Sequence, residues 1–393
     1  MSESNALRVL YISNSIAMGG MEIHMLDLAR AMVARGNSVM AVVPTLSELD
    51  SQVSRLAEAG VRVERLNIDG AQSFTQLVQA WMQLRRWVVE FKPDVVHQHR
   101  TGPFHGKWAV LAACSAGART IVATEHQPAY RLSGARRWIN RIVDVFVDKI
   151  IAVSEADRTQ QIEMTDRPAN RIVAIHNGID IRKFALPSRE ELALRRQELD
   201  IPEDALLIGT LARLVPQKGI AYLFSALSKL PGNWVALIAG DGPLRQDLEQ
   251  QAKQLGIDPR VRFLGFCAEP AHVLSTFDVF VLPSEWESFG LAPVEAMAMG
   301  KPVILSRVGG MSELVIDGES GIYVAPGDVM ALASALDLVL NDAILRDLLG
   351  RAARARVEKL FSLETMAEKT QSLYCSLIQN KSRATEKYSY TRS

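Results

Sequence analysis

Short apolar runs of the kind that form buried strands alternate with amphipathic helical stretches along nearly all of this 393-residue chain. Strands separated by helices cannot pair as hairpins. They pair in parallel through crossover helices, so the pattern predicts parallel α/β sheets covered on both faces. Strands are expected at 8–13, 39–43, 61–66, from 94, and at 120–124, 149–153 and 171–175, with helices over 22–35 and 73–91. The pattern stops at His176-Asn177-Gly178, where Asn-Gly marks a tight turn. It restarts with strands at 206–212, 234–239, 261–264, 279–282 and 303–304, and helices follow to about 378. The fold class is therefore α/β, with two Rossmann-like halves. The expected organisation is a domain over 1–180, a linker over 181–200 and a second domain over 201–360. A helical segment, 361–379, packs back toward the first domain, and the polar stretch 380–393 is expected to be a disordered tail.

Composition excludes several classes. Hydrophobic residues make up 48%, enough for a core in each half, and 44 Lys plus Arg balance 44 Asp plus Glu. No basic field favours nucleic acid. Cys114, Cys267 and Cys375 are far apart, without metal-ligand spacing, which fits a reducing cytoplasm and no disulfide scaffold. The polar start is no signal peptide, and no run of 18 apolar residues could span a bilayer.

The stretch from Ser284 to Glu295 carries the most chemistry. Glu287 follows the strand at 279–282, and Phe289-Gly290-Leu291-Ala292 opens a helix that carries Glu295. Helix N-termini offer free amides to a phosphate, and carboxylates accept from polyol hydroxyls. Phosphate plus polyol describes a sugar nucleotide. Eight residues of rise place the two carboxylates about 12 Å apart. A retaining glycosidase needs about 5–5.5 Å. The loop after the strand at 206–212 holds Arg213 and Lys218-Gly219 at the strand end where ligands bind in open α/β sheets. Its basic pair can meet a diphosphate, and no Asp-x-Asp triplet for Mg²⁺ occurs, so no metal and no cofactor are expected.

In the first half, Gly19-Gly20-Met21-Glu22 joins strand to helix without the Gly-x-Gly-x-x-Gly fingerprint of nicotinamide enzymes. His126 ends a strand. His97 and His99 share one strand face, with no Cys or carboxylate beside them to suggest a metal. Arg131, Arg136, Arg137 and Arg141 surround Trp138 with no acid among them. A basic amphipathic helix of this kind suits either an anionic membrane surface or an acceptor phosphate.

Taken together, Glu287 to Glu295 with its Phe-Gly, the Arg213 and Lys218-Gly219 loop, and the Gly-Gly-x-Glu loop closely resemble the retaining GT-B glycosyltransferases of family 4 (glycosyl transferases group 1). The resemblance covers about residues 8 to 378. It implies two Rossmann-like domains facing across a cleft, and transfer of a sugar from a UDP- or GDP-linked donor to a hydroxyl of a glycan, lipid-linked or small acceptor. Arg213 and Lys218 would hold the diphosphate and offset the charge on the departing nucleotide. Glu295 would hold the ribose, and Glu287 the donor sugar or the oxocarbenium-like transition state. Gly240 and Asp241 would border the nucleotide, with main chain near Phe266 and Cys267 holding the base, and Phe289, Gly290, Leu291 and Ala292 also binding the donor. Gly19 and Gly20 would face the donor, with Glu313 one layer behind it. His126 would sit at the transfer site, and His99, Arg131, Arg136 and Arg137 on the acceptor side. Such an enzyme is expected in the cytoplasm or peripherally on the inner face of the membrane, in bacterial surface polysaccharide, lipopolysaccharide or glycolipid synthesis. Alternatives are a sugar-nucleotide epimerase of the same fold and a non-catalytic sugar-nucleotide-binding protein.

Overall fold

The computed structural model describes residues 6–14, 19–70 and 73–390, with side chains to residue 383. The chain forms two units, Met1–Gly178 together with Leu363–Ser393, and Ile179–Ser362.

Unit 1 is built on β1 (Arg8–Ser13), β2 (Ser38–Val43), β3 (Arg62–Arg65), β4 (Val95–Arg100), β5 (Ile121–Glu125), β6 (Lys149–Ala152) and β7 (Ile172–Ala174). They lie in the order β3-β2-β1-β4-β5-β6-β7, all parallel, with Val9 of β1 opposite both Val39 and Val95. In β1, Val9, Leu10, Tyr11 and Ile12 are all buried, because helices cover both faces and leave no solvent side to alternate toward. Leu10, Ile12 and Val96 pack on Leu84, Trp87 and Phe91 of the helix Phe74–Phe91. Val9 and Tyr11 pack on Met25 and Leu28 of the helix Gly20–Ala34, and on Met366, Ala367 and Tyr374 of the C-terminal helix.

That C-terminal helix runs Leu363–Tyr390, so the stretch expected to be a disordered tail from 380 is helical as far as Tyr390; residues 391–393 lie outside the described residues. Extending a helix that is already anchored costs far less than nucleating one. Lys381 adds an ion pair at 2.6 Å to Asp148.

Unit 2 contains β8 (Leu206–Leu211), β9 (Trp234–Ala239), β10 (Val261–Gly265), β11 (Val279–Leu282), β12 (Val303–Ser306) and β13 (Ile322–Val324), parallel in the order β10-β9-β8-β11-β12-β13. The three-residue β13 is absent from the sequence expectation because it is too short to show a period. The stretch expected to be a linker is structured and belongs to this unit. A 3₁₀ turn spans Ile181–Phe184, and a helix spans Arg189–Glu198. Pro187 breaks the periodicity, but Ser188 and Glu191 form a capping box that starts the helix. Arg196 ties the helix to the sheet through Asp278 at 3.1 Å.

Each sheet has one place where the winding reverses. In unit 1 the chain leaves β1 toward β2 and β3, then returns to the other flank of β1 as β4. In unit 2 it leaves β8 toward β9 and β10 and returns as β11. Loops at the carboxyl ends of such strand pairs diverge and open a crevice, which is where ligands bind in open α/β sheets. Among the described residues, no helix is long and apolar enough to cross a membrane.

Candidate functional site

The residues expected to hold a donor in unit 2 come from loops at its reversal point. Arg213 and Lys218 follow β8; Glu287 follows β11. Three hydrogen bonds, two between main-chain groups and one from a side chain, stitch these loops to each other and to the turn after β12. Glu285 N donates to Gln217 O at 2.8 Å, Gly310 N donates to Glu287 O at 2.9 Å, and Gln217 Nε2 donates to Trp286 O at 3.0 Å. Two glycines permit this approach. A Cβ on Gly219 (φ +65°) would lie 2.0 Å from Pro283 O, and one on Gly309 (φ +43°) would lie 2.1 Å from Glu287 O.

The stitched loops place Lys218 Nζ in an ion pair with Glu287 Oε1. Ser284 Oγ donates to the same oxygen at 3.2 Å. Glu287 is only 8% exposed, so its charge depends on these two partners. Lys218 and Glu287 thus form a pair, where the sequence assigns them to separate parts of a donor. Arg213 is exposed and carries no side-chain hydrogen bond or ion pair among the described residues, so its guanidinium fork is open.

Gly290 caps the helix Leu291–Ala298, on which Leu291 and Ala292 are half-buried at the open N-terminus and Glu295 lies one turn on. Glu295 is close enough to Cys267 to act on its thiol. Burial raises Cys267 above the ordinary thiol range, and the charges of Glu269 and Glu295 add to the rise. Gly240 N donates to Gly265 O at 2.7 Å, which draws the Gly240-Asp241 loop against the Phe266-Cys267 loop. The Phe266 ring is 83% exposed beside them.

Two expected donor residues have structural occupations. Phe289 is buried, its ring edge-on to Phe361 at 5.6 Å, so only its main chain can reach a ligand. Asp241 accepts from Gly242 N at 2.7 Å and lies 3.8 Å from Arg245, so its carboxylate organises its own loop. Glu313 sits in the turn Gly309–Glu313 behind Glu287, where its carbonyl accepts from Arg356 at 2.9 Å.

Unit 1 gathers imidazoles at its own reversal point. Gly19 caps the helix Gly20–Ala34, whose second turn carries His24. Met18, which precedes it, lies outside the described residues. His99 is the last residue but one of β4 and His126 follows β5, and their rings stack with His99 Nδ1 3.1 Å from His126 Nε2. His24 meets His126 edge-on at 4.8 Å. His97 is a core residue, bonded to Tyr374 and, at 2.7 Å, to Thr124 Oγ1. Burial lowers all four imidazoles, His24 to about 4 and His97 to about 3, with the neighbouring rings adding to the fall in His97, His99 and His126. They are neutral at pH 7, able to donate or accept one hydrogen bond at each ring. Among the described residues, His126 Nδ1 makes no hydrogen bond. His24, His99 and His126 also offer nitrogens within 4.8 Å of one another, the one group of that kind among the described residues that could share an ion.

Sequence reasoning overlooked His24. Its signal was available, because a residue four after Gly20 lies on the same helix face. Of the arginines expected near an acceptor, Arg137 is held by Asp166, and Arg136 lies over the Phe104 ring at 5.6 Å. Arg131 and Arg141 have no carboxylate bonded to them among the described residues.

Comparison with known proteins agrees with the architecture of two parallel-sheet units. Glycosyltransferase Family 4 matches residues 18–183, and Glycosyl transferases group 1 matches residues 193–356. An uncharacterized glycosyltransferase of Methanocaldococcus jannaschii is 33% identical over 231 residues, 58% of this chain and 59% of that relative, so the match spans less than two thirds of its length. The glycogen synthase of Mycobacterium tuberculosis is 30% identical over 408 residues, 94% of each chain. Among solved structures, Anabaena HepE in complex with UDP and glucose superposes with a TM-score of 0.80 at 25% identity, over 94% of this chain and 100% of that one.

Proposed function

The chain belongs to the family 4 glycosyltransferases, enzymes of the GT-B fold, and from that premise we propose that it moves a sugar from a UDP- or GDP-linked donor to an acceptor hydroxyl with retention at the anomeric carbon. The observation that carries this is the part-buried Lys218–Glu287 pair beside the open Arg213, at the reversal point of unit 2. Arg213 and Lys218 take the diphosphate oxygens. As the anomeric C–O bond breaks, charge builds on the diphosphate, and preplaced cations stabilise it without reorganising. When Lys218 turns to phosphate, Glu287 is released to face the sugar and its developing positive charge. The acceptor oxygen attacks from the face the diphosphate leaves, and its proton passes to the departing phosphate. Glu295 accepts from the ribose hydroxyls, and main chain around Cys267 meets the base. The acceptor is a glycan, lipid-linked or small hydroxyl compound of cell-surface polysaccharide, lipopolysaccharide or glycolipid synthesis. The enzyme works in the cytoplasm, with peripheral contact to the membrane through residues 131–141.

The direct test is a panel of UDP- and GDP-sugars, scored by thermal shift and by release of nucleotide with and without acceptor. No stabilisation by any of them overturns the reading. Isomerisation of a donor incubated alone would favour an epimerase instead.

Two further outcomes are expected. Glu295→Gln should weaken donor affinity about tenfold or more, the worth of one charge-assisted hydrogen bond, with an unchanged melting temperature. Isothermal titration with UDP checks this, and unchanged affinity removes Glu295 from the ribose. Transfer should also persist in excess EDTA, because Arg213 and Lys218 supply the positive charge. Loss on chelation with recovery on a divalent ion would instead bring the three imidazoles of unit 1 into play as ligands.

A further inference from the structure

The helix Gly134–Asp144 leaves an apolar stripe uncovered. Trp138, Ile142 and Val145 are 66%, 60% and 67% exposed, at spacings of four and three that put them on one face. Beneath this helix, a cavity of about 380 Å³ opens between it and the segment 163–171, wholly within unit 1. Its lining is divided. Leu132, Val145, Val147 and Met164 give an apolar wall, and Arg131, Arg141 and Arg171 give cations. Its carboxylates are largely spent. Asp144 is held by Arg167 at 2.6 Å and Asp166 by Arg137 at 2.6 Å, leaving exposed Glu163 against three arginines. Arg171 donates to Val147 O at 2.6 Å and keeps its charge.

We propose that this cavity binds the phosphate headgroup of an anionic phospholipid, with the stripe seated at the acyl boundary of the same bilayer. An apolar stripe beside a pocket with excess positive charge matches a molecule that joins a phosphate to hydrocarbon. A soluble anion would have no use for the stripe. The proposal rests on the membrane contact suggested above and adds its chemical target. It predicts that charge counts by position. Arg141 lines the cavity, whereas Arg136, on the same helix, does not.

The test is co-sedimentation with vesicles of phosphatidylcholine alone and of phosphatidylcholine mixed with phosphatidylglycerol, melting temperature serving as the fold control. Wild type should prefer the anionic vesicles. Arg131→Gln with Arg141→Gln should lose about five-fold in binding per arginine, the equivalent of about 1 kcal/mol each, and with it most of the preference. Arg136→Gln should lose clearly less. Trp138→Ser with Ile142→Ser should reduce binding to both vesicle types. If that apolar variant binds as wild type does, membrane docking itself fails. If docking holds but Arg136→Gln and Arg141→Gln cost the same, attraction is a diffuse surface field and the headgroup site fails. Stabilisation of wild type by millimolar inorganic phosphate, lost in Arg131→Gln with Arg141→Gln, together with no preference of wild type for anionic vesicles, would assign the cavity to free phosphate and overturn the lipid assignment.

Discussion

Arg213→Ala is expected to lower turnover by about 10²–10³, the scale of losing one preplaced donor to a developing anion, with little change in melting temperature. The separation follows from the structure. Arg213 is exposed and unpaired among the described residues, and removal of such a side chain usually changes stability by no more than about 0.5 kcal/mol. Lys218→Ala should behave differently. It also removes a proposed phosphate ligand, but it strands the buried Glu287 carboxylate with Ser284 as its remaining side-chain partner among the described residues. Orphaning a buried charge costs up to about 3 kcal/mol here, because Lys218 is itself partly exposed. For a unit of this size that lowers the melting temperature by about 5 °C or more. Glu287→Gln added to Lys218→Ala should restore stability and leave turnover low. Turnover with a UDP- or GDP-sugar, set beside thermal denaturation, resolves the two effects. Loss of stability in Arg213→Ala would show that its guanidinium is not open, and none in Lys218→Ala that the pair does not hold the loop.

The second large effect concerns acid. His24 and His97 have folded pKa values near 4 and 3, below the ordinary value of 6.5, because burial disfavours their charged forms. The unfolded chain therefore binds more protons below pH 6.5, and stability present above that pH is lost as pH falls toward 4. Each contributes about 1.4 kcal/mol per pH unit in that window. Asp69 acts in the opposite sense. Burial pushes it up to about 6, so its contribution grows on acidification below pH 6 and is lost as pH rises through that value. The net expectation is a steep fall in melting temperature from pH 6.5 to 5, with a slope that His97→Gln reduces by about the share of one histidine. A flat profile over that range, or an unchanged slope in His97→Gln, would mean that these rings are charged or solvated in the fold.

The alternation of strands and helices, and most strand positions, were legible because both sheets are parallel and buried on both faces. Val279–Leu282 and Trp234–Ala239 need only be apolar and short to be recognised. The loops proposed to hold a donor stood out as candidates through Glu287, Lys218 and Glu295, which β8 and β11 bring to one end of the sheet. What local pattern cannot carry is partnership at long range. The bond between His97 and Tyr374 joins residues 277 apart, and nothing in either neighbourhood announces it. The Lys218–Glu287 ion pair is hidden for the same reason. Each residue looks like a separate ligand until β8 and β11 are known to be neighbours. The helix Arg189–Glu198 was missed for a different reason. Its capping box was in plain view, but Pro187 outweighed it.

Because Leu363, Met366 and Tyr374 complete the core of unit 1, that unit cannot close until the last part of the chain has been made. Unit 2, which is continuous from Ile179 to Ser362, is synthesised whole in the interval. At ordinary rates of translation the first sheet waits about 10 to 40 s for its final helix. During that time the apolar flank of β1 that Tyr374 will cover is open to chaperones or to a neighbouring nascent chain. Order of synthesis thus makes the later-coded unit the earlier one to mature, and makes the C-terminal helix the step that commits the enzyme to its finished form.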